Sequence, residues 1–282
     1  MFESIGRSIG LVKTSWNILM DDKKLLVFPI LSGIVTILVV LTFILPLLFS
    51  GALMGKAQVG PLVYYGLLFL FYVVSYFVVI FFNTALITCV NAKLNGRDLS
   101  VGEGLSAAAT HIPAIAGWAV ISATVGLVLH LLEERSGFIG QIVFSVIGGA
   151  WALVTFFVVP VLVIEDKGVF ASITESFGLI KKTWGESIVG AGGMAVVFVV
   201  IGVLGGLCVL GTLFLGIELL FYAALALFLL MIVVLAVVYS AMQGIFVTAL
   251  YTYAKTGTVP SAFSRDTIQN AFLPKQAGPG TI

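Results

Sequence analysis

The chain has 282 residues, of which 60% are hydrophobic and only 10% charged, with a formal net charge of +1 and a mean hydropathy of +1.19. A soluble domain carries roughly 25% charged residues, so the polar surface of a soluble enzyme cannot be assembled from this supply. Near-neutral charge excludes a basic face aimed at nucleic acid, and the lack of polar tracts or a glycine period excludes disordered and collagen-like chains.

In chain order, the first element is an amphipathic helix. Phe2, Ile5, Ile9, Val12 and Trp16 recur at 3-4-3-4 spacing, one stripe of an α-helix, with Ser4 where a cap would sit and Lys13 and Trp16 at a membrane interface. A bilayer core of about 30 Å needs roughly 20 apolar residues, and six runs qualify. They cover residues 25–50, 62–90, 112–132, 138–164, 187–217 and 219–253. The first is too long for the apolar region of a signal peptide. The fifth and sixth form one stretch broken at Glu218, with Gly211 and Gly216 as turn residues. Kinks are expected at Pro46 or Pro160.

Between spans two and three, Val101, Leu105, Ala108 and Ile112 form a weaker stripe. Between spans four and five the stripe returns as Phe170, Ile173, Phe177, Ile180 and Trp184, beside Lys181 and Lys182. The nonapeptides starting at Ser8 and Ser176 are identical at five of nine positions. Ser100 with Glu103, and Ser172 with Glu175, have capping-box spacing. Spans two and six also match: Phe82, Thr84, Ala85, Leu86 and Thr88 against Phe246, Thr248, Ala249, Leu250 and Thr252. The pattern reads as an all-α polytopic membrane protein of three pseudo-repeated hairpins, each preceded by an interfacial amphipathic helix. Residues 1–258 form a single six-span domain, with repeat units of about 1–95, 96–166 and 167–258, and 259–282 form a C-terminal tail.

Twelve of the fourteen Lys and Arg residues fall on one side of this topology, leaving Lys56 and Arg135 on the other. That bias places both termini in the cytoplasm.

Little in the sequence points to chemistry. The central parts of the spans carry no Asp, Glu, Lys or Arg, so there is no charged relay or substrate site of the kind transporters build. His130, Glu133 and Glu134 have a spacing that could hold a divalent ion, though a solvated helix end explains them better. Cys89 and Cys208 read as small apolar residues. No catalytic residue, cofactor or metal site is expected. Tyr72, Tyr76 and Asn83 of span two and Gln243 of span six form a candidate polar path, or interhelical hydrogen-bonding glue. Small-residue pairs that permit close helix approach are Gly202 with Gly206, Ser145 with Gly149, Gly148 with Ala152, and Ser122 with Gly126.

Several stretches carry a resemblance. They are the Ser–Trp–Leu start, the Asp-Lys-Lys-Leu-Leu run at 22–26 followed by Pro29, the Leu-Tyr-x-Tyr-Ala-x-x-Gly end of span six, and Ala271–Lys275. They resemble a bacterial and archaeal family of six-span integral membrane proteins, a domain of unknown function. Looser similarity extends to the membrane domains attached to some glycerophosphodiester phosphodiesterases. The resemblance implies the topology and a prokaryotic inner membrane, and carries no catalytic residues.

Two function classes remain. One is a non-catalytic protein organising membrane lipid or a membrane protein partner, or forming a homo-oligomer. The other is a channel or permease for small neutral or apolar solutes. Neither involves nucleic acid.

Overall fold

The computed structural model describes residues 2–49 and 60–258; of residues 2–11, 61 and 182–193 it describes the backbone alone. Among the described residues there are helices and no strand. The α-helices are α1 (Phe2–Asp21), α2 (Val27–Phe49), α3 (Pro61–Leu94), α4 (Val101–Thr110), α5 (Ile112–Glu134), α6 (Phe138–Val154), α7 (Val158–Ile164), α8 (Val169–Leu213) and α9 (Glu218–Thr256), with a 3-10 turn at Lys23–Leu26. Six segments are long and apolar enough to cross a membrane: Lys23–Phe49, Leu62–Leu94, Ile112–Glu134, Phe138–Ile164, Met194–Leu213 and Glu218–Thr256. These are the six expected runs, with ends shifted by a few residues.

The helix ends follow local chemistry. Ser100 and Glu103 form the expected capping box: the Glu103 N–H donates to Ser100 Oγ (3.2 Å) and the Ser100 N–H donates to Glu103 Oε2 (2.7 Å), satisfying two orphan donors reciprocally. The second expected box does not form. Ser172 lies inside α8, and its hydroxyl donates back to the Gly168 carbonyl at 3.0 Å, while Glu175 pairs with Lys167. Ser4 likewise lies inside α1, which begins at Phe2. α9 stops at Gly257, whose φ of +70° is the left-handed cap that glycine adopts without strain.

Two helices differ in their continuity. The stripe at 170–184 and span five lie on one helix, α8, which runs from Val169 to Leu213. Helical hydrogen bonding continues there because no proline stands between Val169 and Leu213 to remove a donor. α2 passes through Pro46 without interruption, whereas span four breaks at residues 155–157, ahead of Pro160.

The chain divides into two compact units, Val27–Lys181 and Met1–Leu26 with Lys182–Ile282. In the first, α3 is central and packs against α2, α4, α5 and α7. Its core holds Ile80, Ile115, Trp118, Ala119, Val158 and Leu162. Phe28, Ala85, Leu86 and Ile87 are also buried. All lie toward the end of the helices that carries α4. The opposite ends are open: α6 buries no residue at all, and Leu62, Phe138 and Ile139 are exposed. The second unit has the same asymmetry. α9 is buried from Ala241 to Tyr251 except at Gln243, together with Ile18, Leu19 and Leu25, while Leu219, Leu227 and Leu230 are exposed.

Candidate functional site

The densest constellation of polar groups lies where α7 meets α8. Pro160 has no N–H to offer the carbonyl four residues earlier, and its ring crowds that carbonyl; here, unlike at Pro46, the helix breaks, at residues 155–157. The chain turns with tighter bonds, Phe156 N–H to the Leu153 carbonyl (3.1 Å) and Val158 N–H to the Thr155 carbonyl (3.1 Å). One donor and one acceptor released by the break are then satisfied from outside. Ser176 Oγ accepts the Phe157 N–H at 3.0 Å and donates to the Val154 carbonyl at 2.6 Å. Ser176 and Phe157 are both fully buried.

Around this bridge the first turns of α8 are docked. Val169 and Ile173 pack against the core of the unit, and Val169 lies so close to Gly117 that a Cβ there would be 3.3 Å from it. Lys167 pairs with Glu165 at 2.6 Å and with Glu175. These carboxylates, Glu165 first, hold the Lys167 amine above its ordinary range. His111 Nε2 lies 3.3 Å from Asp166 Oδ1, and its Nδ1 is 2.8 Å from the Ala107 carbonyl. The flank of this docked stripe is apolar and open: Phe170 is 78% exposed and Phe177 53%.

The expected site residues distribute as follows. Lys13 and Lys181 are exposed, as is Trp16 at 43%; the side chains of Trp184 and Lys182 lie outside the described residues. Tyr72 and Tyr76 stack on α3, ring centroids 6.4 Å apart. A Cβ on Gly126 would sit 3.2 Å from Tyr76 Oη, so this part of the tyrosine stripe fills the α3–α5 contact. Asn83 and Gln243 are half-buried.

Of the small-residue pairs, Ser122 is buried against α3 as expected. Ser145 and Gly149 are exposed, and nothing lies within 4 Å of a Cβ on Gly149. Gly202 and Gly206 have ordinary contacts, 3.6 Å to Ile232 Cδ1 and 3.6 Å to Phe228 Cζ. The tight position is their neighbour Gly205, where a Cβ would meet Met231 Cε at 2.4 Å and the Phe228 ring at 3.1 Å. Cys89 and Cys208 are not joined in a disulfide. His130 pairs with Glu134 at 3.3 Å, and no group of three metal-ligating side chains occurs among the described residues.

Sequence reasoning missed Ser176, Gly104 and Gly205. The signal for Ser176 was present: a proline inside an apolar span releases backbone groups that a hydroxyl must satisfy.

An all-helical chain with six apolar spans is a multi-pass membrane protein. The model of a family of unknown function (DUF6159) matches residues 62–261, which is most of the chain, and the protein belongs to that family. No curated protein and no solved structure matches the chain.

Proposed function

We propose that this protein is a non-catalytic membrane protein that organises lipid, or a partner protein, at the cytoplasmic face of a prokaryotic inner membrane. The observation that carries this reading is the docked start of α8. Ser176 fixes it to span four, and the exposed flank of the docked stripe presents Phe170 and Phe177. Two exposed phenylalanines seven residues apart, with exposed Lys181 following, suit the boundary between headgroups and acyl chains. Trp16 and Lys13 give α1 a similar face, in keeping with a threefold repeat of interfacial helix and hairpin. The matched back-bonds of Thr88 to the Thr84 carbonyl and Thr252 to the Thr248 carbonyl, both 2.9 Å, support the same repeat. The Lys and Arg distribution supports cytoplasmic termini. A loose likeness to membrane domains attached to phosphodiesterases fits a membrane module without its own chemistry.

The test is lipid retention. Purified protein in mild detergent is expected to carry bound lipid, and the double variant Phe170→Ser/Phe177→Ser is expected to lose most of it. Proteoliposomes are expected to leak glycerol no faster than empty vesicles. Unchanged lipid content together with protein-dependent glycerol flux would replace this reading with the permease. Orientation is checked with single cysteines placed at Arg97 and Arg135 in a Cys208→Ser background. Labelling from outside is expected at the second position only.

A further inference from the structure

We infer that span four is hinged at residues 155–157, and that Ser176 is the latch that holds the hinge closed. The two halves of this span are built differently. α7 is anchored: Val158, Pro160, Val161 and Leu162 are buried. α6 buries nothing. Its contacts with α5 include the Trp118–Trp151 ring contact at 6.0 Å and the approach of Leu129 to Gly148. The joint keeps two tighter turn bonds, Phe156 N–H to the Leu153 carbonyl and Val158 N–H to the Thr155 carbonyl, but Pro160 removes the helical bond to the Phe156 carbonyl. Sharp helix bends arise at such interruptions.

From outside the span, the joint is bonded by a side chain of another helix. Ser176 bonds both sides of the break, Val154 at the end of α6 and Phe157 just before α7. Within lipid the two backbone groups have no water to turn to, so the latched state is favoured as long as α8 stays docked. Docking depends on Val169, Ile173 and the Lys167 ion pairs with Glu165 and Glu175. Displacing the first turns of α8, the same turns that present Phe170 and Phe177, withdraws the hydroxyl and frees α6 to pivot. Events at the membrane surface would in this way change the position of the far half of span four. This inference does not depend on whether lipid or protein occupies that surface.

The test uses full-length protein in nanodiscs. Spin labels at Val128 and Val143, both exposed, report the α5–α6 distance in a Cys208→Ser background, where Cys89 stays buried. Hydrogen exchange of amides 153–158 reports the joint. Ser176→Ala is expected to speed that exchange on the order of tenfold, the equivalent of one buried hydrogen bond, and to broaden the distance distribution. Exchange of residues 160–164 should stay unchanged. Pro160→Ala restores the missing donor and is expected to slow exchange below wild type and narrow the distribution, with or without the Ser176 hydroxyl. If Ser176→Ala does not fold, Ser176→Cys, a weaker bonding group of similar size, takes its place. A folded Ser176 variant with wild-type exchange and distances would overturn the latch. A Pro160→Ala protein indistinguishable from wild type would overturn the hinge.

Discussion

Gly104→Ala tests the packing of α4 on α3 most directly. In an exposed helix this substitution stabilises by roughly 0.5–1 kcal/mol, because alanine loses less conformational freedom on folding. At Gly104 three atoms stand in the way. A Cβ would lie 2.5 Å from Cys89 Sγ, 3.0 Å from Phe28 Cζ and 3.2 Å from the Ala85 carbonyl oxygen. None yields easily. Ala85 O is backbone of the central helix. Phe28 is among the most buried side chains of the unit. Cys89 is short, and its thiol donates to the Ser100 carbonyl at 3.8 Å. Overpacking of this kind costs about 1–3 kcal/mol, which exceeds the propensity gain, so the net loss is expected at about 1–2 kcal/mol. Gly102→Ala is the control. It lies in the same helix, is exposed, and its Cβ would meet nothing closer than Ser100 Oγ at 4.0 Å; it should gain stability. Unfolding in mixed micelles gives both values. Cys89→Ala removes the nearest obstacle, so the double variant should recover on the order of 1 kcal/mol of coupling. The reasoning fails if Gly104→Ala stabilises as much as Gly102→Ala, or if Cys89→Ala recovers nothing.

Ser100→Ala should destabilise by about 1 kcal/mol through loss of the cap. Adding Glu103→Ala should cost little more, since the two side chains act reciprocally; additive losses by the same unfolding assay would refute this. Gly205→Leu should lower the thermal midpoint through collision with Met231 and Phe228, whereas Gly206→Ala should leave it unchanged or raise it; the reverse order would place the contact at the wrong glycine. Lys167 titrates above its ordinary value of 10.5 because Glu165 and Glu175 hold its proton. Its contribution is therefore fully present below the unfolded value and is lost as pH rises through the higher folded one. Lys167→Met should flatten the alkaline limb of the stability–pH profile, and an unchanged limb would assign it to other groups.

The six spans were legible because each is a run too long and too apolar for any other use. Their partners were not, and the reason is physical. In water the packed face of a helix is apolar and the free face polar, so periodicity shows what is buried. In a membrane both faces are apolar, and the contrast disappears. Gly202 and Gly206 look like a packing motif, yet the closest approach is at Gly205, a difference of one residue that depends on where Met231 and Phe228 lie. Ser145 and Gly149 have the same spacing, yet both are exposed, and among the described residues nothing lies within 4 Å of a Cβ on Gly149. By contrast, Ser100 and Glu103 lie outside the spans, where capping follows the rules for water, and that expectation held in detail. Ser172 and Glu175 have the same spacing and failed, because α8 begins three residues earlier and Lys167 claims the carboxylate.

The stripes on the connecting helices nevertheless point to one position. Aligning Val101, Leu105, Ala108 and Ile112 with Ile173, Phe177, Ile180 and Trp184 sets Gly104 against Ser176. Both meet the backbone of a helix ending at the same side of the first unit: Gly104 against the Ala85 carbonyl of α3, Ser176 on the Val154 carbonyl of span four. The difference between them follows from what each opposes. α3 is continuous, its carbonyls are already bonded within the helix, and only closeness is required, so a residue without a side chain fits. Span four is broken by Pro160, two backbone groups need partners, and a hydroxyl of minimal size fits. The third stripe carries Ser8 at this position, outside the described side chains, and α1 packs on α9. α9 has no proline and no break, so it offers no released backbone groups of the kind Ser176 bonds. Ser8→Gly is therefore expected to leave unfolding stability within about 0.5 kcal/mol of wild type, the range of substitutions away from special features, whereas Ser176→Gly should lose about 1–3 kcal/mol by orphaning a buried donor and acceptor. Equal losses at the two serines would show that the helix break is not what makes the hydroxyl matter.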